Sequence, residues 1–246
     1  MFCVIIILHI YLTVIKKGDV PKMATENKNG ISTRKKILTT CRHLFYEKGF
    51  SAVTFAGICK ATGTNPGSVS YHFKSKINIA LLIYQELMET LSNESKALFP
   101  ESDLTQQRML ALAMHLRLLY DNANYRRFSA EVCTQRAYDK ELSRFVYSYS
   151  EPFLVAKEYM SEQKALFYFA AMIGMDGYLE SYIDRDIDRL TFDEIFNYYL
   201  ELHYSFLEKA DFSRRLDRVY EDLGTLEIRV SEDFELSIAP CPPAQD

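Results

Sequence analysis

Apolar residues near the start of the chain recur at helical spacing. Ile37, Cys41, Leu44 and Phe45 form one stripe on a helix expected over about Thr33 to Lys48. Gly49 ends it, a residue that tolerates left-handed dihedrals. Thr54 is placed to cap a second helix, Phe55 to Thr62, whose Ile58 and Ala61 face inward. Gly63-Thr64-Asn65 predicts a tight turn. Asn65 then caps a short third helix that opens with Pro66 and runs to about Phe73. Val69 and Phe73, four apart, turn inward. Pro66, Gly67, Ser70 and Tyr71 turn outward, with Ser68 at the flank.

From Ile77 to about Glu221 the pattern is almost continuous helix, with Pro100 and Pro152 as the prolines and no strand-like alternation. Ile77, Leu81, Tyr84, Met88 and Leu91 mark a helix that follows the head directly. Met109 to Leu119 is apolar nearly all round, as in a central buried helix. Further helices are expected over Asn124–Arg136, Lys140–Met160, Gln163–Ile183, Phe192–Leu207 and Asp211–Leu223. About 145 residues suffice for a domain with its own core. The fold class is therefore all-α, and the chain divides into an arm at 1–30, a head at 31–76, a body at 77–223 and a tail at 224–246. The tail, acidic and carrying Pro240, Pro242 and Pro243, reads as a loose end with a short extended piece at Leu226–Val230.

Charge changes this picture. Residues 31–78 hold eight Lys/Arg and one acid, Glu47, in a chain of net charge -4, while residues 79–246 hold 17 basic and 30 acidic residues. A basic helical head on an acidic body calls for a polyanionic partner. Two helices joined by a short Gly turn, the second presenting its N-terminus outward, form a helix-turn-helix. That N-terminus carries spare N–H groups and positive dipole, which suit phosphate. The candidate DNA-contacting residues are Thr54, Pro66, Gly67, Ser68, Ser70, Tyr71, His72, Lys74 and Lys76. Gly67, Ser68 and Ser70 are small enough for close approach. Lys74 and Lys76 follow the helix, placed for the backbone. His72 is divided between a phosphate contact and packing on the first helix. Lys48 and Lys60 read as solvated charges.

The segment from Ile37-Leu38 through Cys41, Leu44-Phe45, Gly49-Phe50, Thr54, Ile58, Gly63, Gly67-Ser68-Val69, Tyr71-His72-Phe73, Ser75 and Lys76 resembles the TetR family of bacterial transcriptional regulators, without a gap over some 45 residues. Ser70 departs from it, since the family often has an aromatic or Asn there, and Tyr71 then carries more of the readout. The resemblance implies a body that binds a small effector and dimerises by pairing its last two helices with those of a second subunit. Gln163–Ile183 and Phe192–Leu207 match that place. Phe167, Ala170, Gly174, Gly177 and Tyr199 are the candidate interface residues. Glycine inside a helix costs about 1 kcal/mol against alanine, and close packing offsets it. Aromatics are dense in the body, and each taken singly reads as ordinary core. As a group they suit an apolar pocket, with Met109, Leu116, Tyr120, Phe128, Phe145, Phe153 and Phe169 as candidates. Among Arg108, Arg117, Arg126, Arg127 and Arg136, solvated or paired roles compete with a contact to an anionic ligand.

Phe2 to Ile15 is apolar over 14 residues, short of the roughly 20 a spanning helix needs. Lys16 and Lys17 follow the run rather than precede it, unlike a secretory signal. Lys16-Lys17-Gly18-Asp19 requires a purine-rich coding run containing GGNGA, similar to a ribosome-binding site, so Met23 is expected to be the true start. Cys3, Cys41, Cys59, Cys133 and Cys241 show no metal-ligand spacing. Cys41 and Cys59 read as small core residues in a reducing cytoplasm. No phosphate loop, metal set or nucleophile motif occurs, so no catalytic residue, metal or cofactor is expected. The expected function is that of a dimeric, ligand-responsive regulator, most simply a repressor, on a palindromic double-stranded DNA operator. The competing class is a membrane-tethered helical sensor or adaptor anchored through Phe2–Ile15.

Overall fold

Local caps set the head. A computed structural model describes residues 28–137 and 160–242. Helix α1 spans Lys28–Lys48 and buries Ile37, Cys41 and Phe45 completely. Gly49, at φ +80°, ends it. Burial pushes the Cys41 thiol up to about 12, so it behaves as a small apolar group. Helix α2 spans Phe55–Thr62, its first turn capped by Thr54, whose hydroxyl accepts from the Gly57 N–H at 3.0 Å. The Thr62 hydroxyl donates to the Ile58 carbonyl at 2.8 Å and lies 2.6 Å from that of Thr64, pinning the turn at Gly63. Helix α3 spans Pro66–Phe73, and Asn65 caps it by accepting from the Ser68 N–H at 2.8 Å.

Helix α4, Lys76–Leu98, starts two residues later, capped by Ser75. The expected stripe from Ile77 to Leu91 is present, but Ile79, Ile83 and Leu87 are buried as well. The head lies on one flank of α4 and the body on the other, which covers more of its surface than an amphipathic stripe would. Helix α5, Leu104–Asp121, is the central helix, buried from Met109 to Leu119 except at Arg117. Around it pack α4, α6 (Ala123–Ala137), α8 (Phe192–His203) and α9 (Lys209–Gly224). Helix α7, Glu162–Asp186, runs along α6 and ends in a 3-10 turn, Ile187–Arg189. Thr191 and Glu194 form a reciprocal capping box at the start of α8. The helix expected over Lys140–Met160 lies outside the described residues, save Met160. Among the described residues no helix is long and apolar enough to cross a membrane.

The tail departs from expectation. Residues 224–242 are not a loose end. Strand β1, Leu226–Val230, pairs antiparallel with β2, Leu236–Pro240, with Ile228 opposite Ile238. Leu226, Ile228, Val230, Leu236 and Ile238 pack against the core, and Phe234 in the connecting turn is buried. Alternation supplies the inward face. Pro240 is tolerated as the last residue of its strand, where a missing N–H disturbs no interior rung.

Candidate nucleic-acid interface

The outward surface of α3 is built as its caps require. Pro66, Gly67 and Ser70 are exposed, and Tyr71 is 70 % exposed, a large apolar ring left in water. Val69 and Phe73 fix the opposite side of the helix in the core. The Tyr71 and His72 rings meet edge-on at 5.1 Å, and His72 is half-buried towards Phe73 at 6.4 Å. The Arg34 guanidinium lies 5.1 Å from the Phe73 ring and ties α1 to the end of α3. Lys74 is exposed and takes a positive φ of 62° as the C-cap of α3. Lys35, Lys36, Lys48 and Lys60 are exposed on the same domain. Thr54 is exposed, with its hydroxyl engaged in capping.

Lys76 corrects its expected role. Its Nζ donates to the carbonyls of Phe50 and Val53, both at 2.8 Å, and stands 4.1 Å from the Phe50 ring. The side chain stitches the first turn of α4 to the loop between α1 and α2. Burial lowers its pKa, with the Glu131 carboxylate opposing. An ammonium held this way is turned away from a phosphate partner.

The candidates in the body separate. Met109 and Leu116 are fully buried in α5, and Tyr120 is half-buried with its ring 5.8 Å from Phe192. Phe128 belongs elsewhere: it stacks on Phe45 of α1 at 6.0 Å and meets Phe234 at a tilt at 4.4 Å, in the seam between head and body. Phe145, Phe153 and the side chain of Phe169 lie outside the described residues. The arginines are largely engaged within the chain. Arg126 donates to the Leu119 and Tyr120 carbonyls, and Arg127 to those of Tyr46 and Glu47, so each covers the end of a helix. The Arg117 guanidinium lies 3.6 Å from the centre of the Phe192 ring. Arg108 is half-buried near Tyr204, and desolvation lowers it to about 10.

On α7, Phe167, Ala170 and Gly174 are exposed, but Gly177 is not, nor is Tyr199 of α8. The Gly177 carbonyl accepts from Thr134 at 3.4 Å, and the Tyr199 hydroxyl donates to Asp176 at 3.0 Å. Both point into the body of the chain. The exposed face runs through Phe167, Ala171, Gly174 and Tyr178 of α7 and Tyr198 and Leu202 of α8.

Sequence reasoning missed a buried polar layer. Asp176 and Glu180, one turn apart on α7, enter the core. Asp176 meets His203 Nε2 at 2.7 Å. Glu180 accepts from the Ser129 hydroxyl, lies 3.2 Å from the Cys133 thiol and stands 3.5 Å from His115 Nε2. His115 Nδ1 lies 2.8 Å from the Tyr125 hydroxyl. Burial acts to raise the Glu180 carboxyl, but the nearby His115 ring and the hydrogen bond from Ser129 outweigh it and hold the group below its usual range. Desolvation and the nearby acids raise Tyr125 and Tyr199 well above the ordinary phenol value, so both stay protonated donors. Two acids four apart in an otherwise apolar helix were the available signal. Among the described residues no group of three or more His, Cys, Asp or Glu could hold a metal.

Residues 37–82 match the family model described as bacterial regulatory proteins, tetR family, a span that covers the head and the opening of α4. Over 93 residues the chain is 29% identical to the HTH-type transcriptional regulator CymR of Pseudomonas putida, covering 36% of this chain and 46% of that protein. Over 120 residues it is 30% identical to a Bacillus subtilis protein described as "Probable HTH-type transcriptional regulator YttP", covering 48% and 57%. The chain thus spans about half the length of the curated relatives it matches. Among solved structures it is similar to NalD of Pseudomonas aeruginosa, with 19% identity, a TM-score of 0.46, and coverage of 73% of this chain and 98% of that one.

Proposed function

We propose that this chain, whose residues 37–82 match the model of the tetR family of bacterial regulatory proteins, acts as a dimeric cytoplasmic repressor of that family, released from its DNA operator by a small effector. The observation that carries the proposal is the exposed face of α3. Ser70 and Tyr71 stand in water on a helix whose other side is locked into the core of a basic head. A flat, short-stemmed surface there suits the floor of a major groove, with Tyr71 reaching base edges and Lys74 the backbone. The exposed apolar face of α7 and α8 supports a second copy as partner. Two heads then sit on successive major grooves, about 34–36 Å apart for one turn of DNA.

In this reading the effector binds in the body around Met109, Leu116 and Tyr120 of α5. Helix α4 is the mechanical link, because it enters the body core without a flexible linker. Differential binding of the effector to two head spacings sets the response; a coupling of about 1–3 kcal/mol lowers DNA affinity roughly 5–150-fold. Selection of duplexes from a random pool by the purified protein tests the reading. A two-fold symmetric consensus is expected, and Tyr71→Ala should weaken the selected site more than random DNA. Equal affinity of wild type and variant for the selected site would refute the role given to α3.

A further inference from the structure

The tip of the C-terminal hairpin is wedged into the seam between head and body. Phe234 is 2 % exposed. Its ring meets Tyr46 of α1 edge-on at 5.3 Å and Phe128 of α6 at 4.4 Å. The backbone there takes φ +57°, a conformation that a bulky residue adopts at a cost and keeps when its surroundings hold it. Ser231 supplies part of that hold: its carbonyl accepts from the Phe234 N–H at 3.0 Å, and its hydroxyl accepts from the Glu235 N–H at 3.1 Å. A polar bridge runs beside the ring. Arg42 of α1 donates both to the Glu86 carboxylate of α4 and, at 3.4 Å, to the Asp233 carbonyl. One head side chain thus joins the first body helix to the hairpin. Next to it lies a cavity of about 320 Å³ bordered by Thr39, Thr90 and Leu236. Helix α1 therefore has space to tilt on this side if the ring withdraws.

We infer that the hairpin is a strap that fixes the angle of the head on the body, with Phe234 as its positioning residue. The inference rests on the reading of the head as a DNA-binding element. A protein with two heads needs both at one separation to engage a symmetric site. If the heads pivot, the matching arrangement is populated only part of the time, and apparent affinity falls by that fraction. One head on half a site needs no such match. Loss of the strap must therefore weaken the full site selectively.

The test uses the full chain as wild type, Phe234→Ala, Phe234→Leu and Arg42→Met. The last severs the bridge and leaves the ring seated. Amide hydrogen exchange without DNA reports on residues 39–52 against the central helix α5. The DNA probes are a symmetric duplex selected by the wild type and the same duplex with one half scrambled. In Phe234→Ala, exchange at 39–52 should accelerate while α5 keeps its protection. Affinity for the symmetric duplex should fall about tenfold, with half-site affinity within about twofold of wild type. Phe234→Leu should recover most of the loss, and Arg42→Met should move both readouts in the same direction by less. Wild-type exchange at 39–52, or equal loss on both duplexes, overturns the strap. If Phe234→Ala does not fold, Arg42→Met decides by the same two readouts. If the wild type selects no DNA, the reading of the head fails, and the exchange data still judge the strap.

Discussion

Replacing Lys76 with Met removes the ammonium and keeps the apolar stem. The Nζ donates to two backbone carbonyls at 2.8 Å and sits 4.1 Å from the Phe50 ring. A hydrogen bond from a charged donor is worth about 1.5–3 kcal/mol, and a cation over an aromatic face adds about 0.5–1 kcal/mol where water has access. The side chain is half-buried, so water can rehydrate the released carbonyls, and the lower end of each range applies. Two such bonds and the aromatic contact then cost about 3.5 kcal/mol, a roughly 400-fold fall in the folded-to-unfolded ratio. Urea titration of both proteins measures it. A phosphate contact predicts a different result: stability within about 0.5 kcal/mol of wild type, and a slope of log affinity against log salt that falls by about one. Unchanged stability together with a reduced salt slope would refute the structural role given to Lys76.

Three further outcomes are expected. Glu180→Leu should cost about 3–5 kcal/mol, because it leaves His115 and Ser129 facing an apolar group in the core. Glu180 is held below its ordinary value of 4.5, first against burial and then by His115 and Ser129. Its stabilisation is therefore complete above that value and is lost as pH falls through the depressed one. The wild-type urea midpoint should drop below about pH 4.5, and the variant should lack that component; parallel pH profiles would refute it. Gly174→Leu should leave the protomer folded, since an added Cβ meets nothing within 4 Å, yet reduce the dimer fraction in sedimentation; an unchanged dimer mass would move the interface elsewhere.

The head was legible because its signals are local. Thr54, Asn65 and Ser75 each accept from an N–H three residues on, a geometry written within a single turn of sequence. Helix α5 was legible from its unbroken apolar run. The small residues of α7 divide between two faces: Ala170, Ala171 and Gly174 are exposed while Gly177 is buried, and periodicity alone cannot say which face meets α6. The pairs of Asp176 with His203 and Glu180 with His115 join residues on different helices, and nothing near either histidine announces its partner. Leu226–Val230 was recognisable as extended. Its mate was hidden by Pro240, and the wedge Phe234 is one apolar residue among Glu232, Asp233 and Glu235. What makes it a core residue is the arrival of Tyr46 and Phe128 from distant parts of the chain.

Because Phe45 and Tyr46 complete their packing on Phe128 and Phe234, the head is not a bead that can be unstrung. Residues 28–75 cut away from the rest would expose the aromatic surface that finishes their core. A chimera that grafts this head onto another regulator would inherit the same deficit. The exchangeable unit is larger: it takes in the start of α4, the α6 surface carrying Phe128 and Arg127, and the hairpin that arrives from the far end of the chain. On the proposed reading, DNA specificity is accordingly easiest to change by substitution on the exposed face of α3, and hardest by recombination at the boundary before α4.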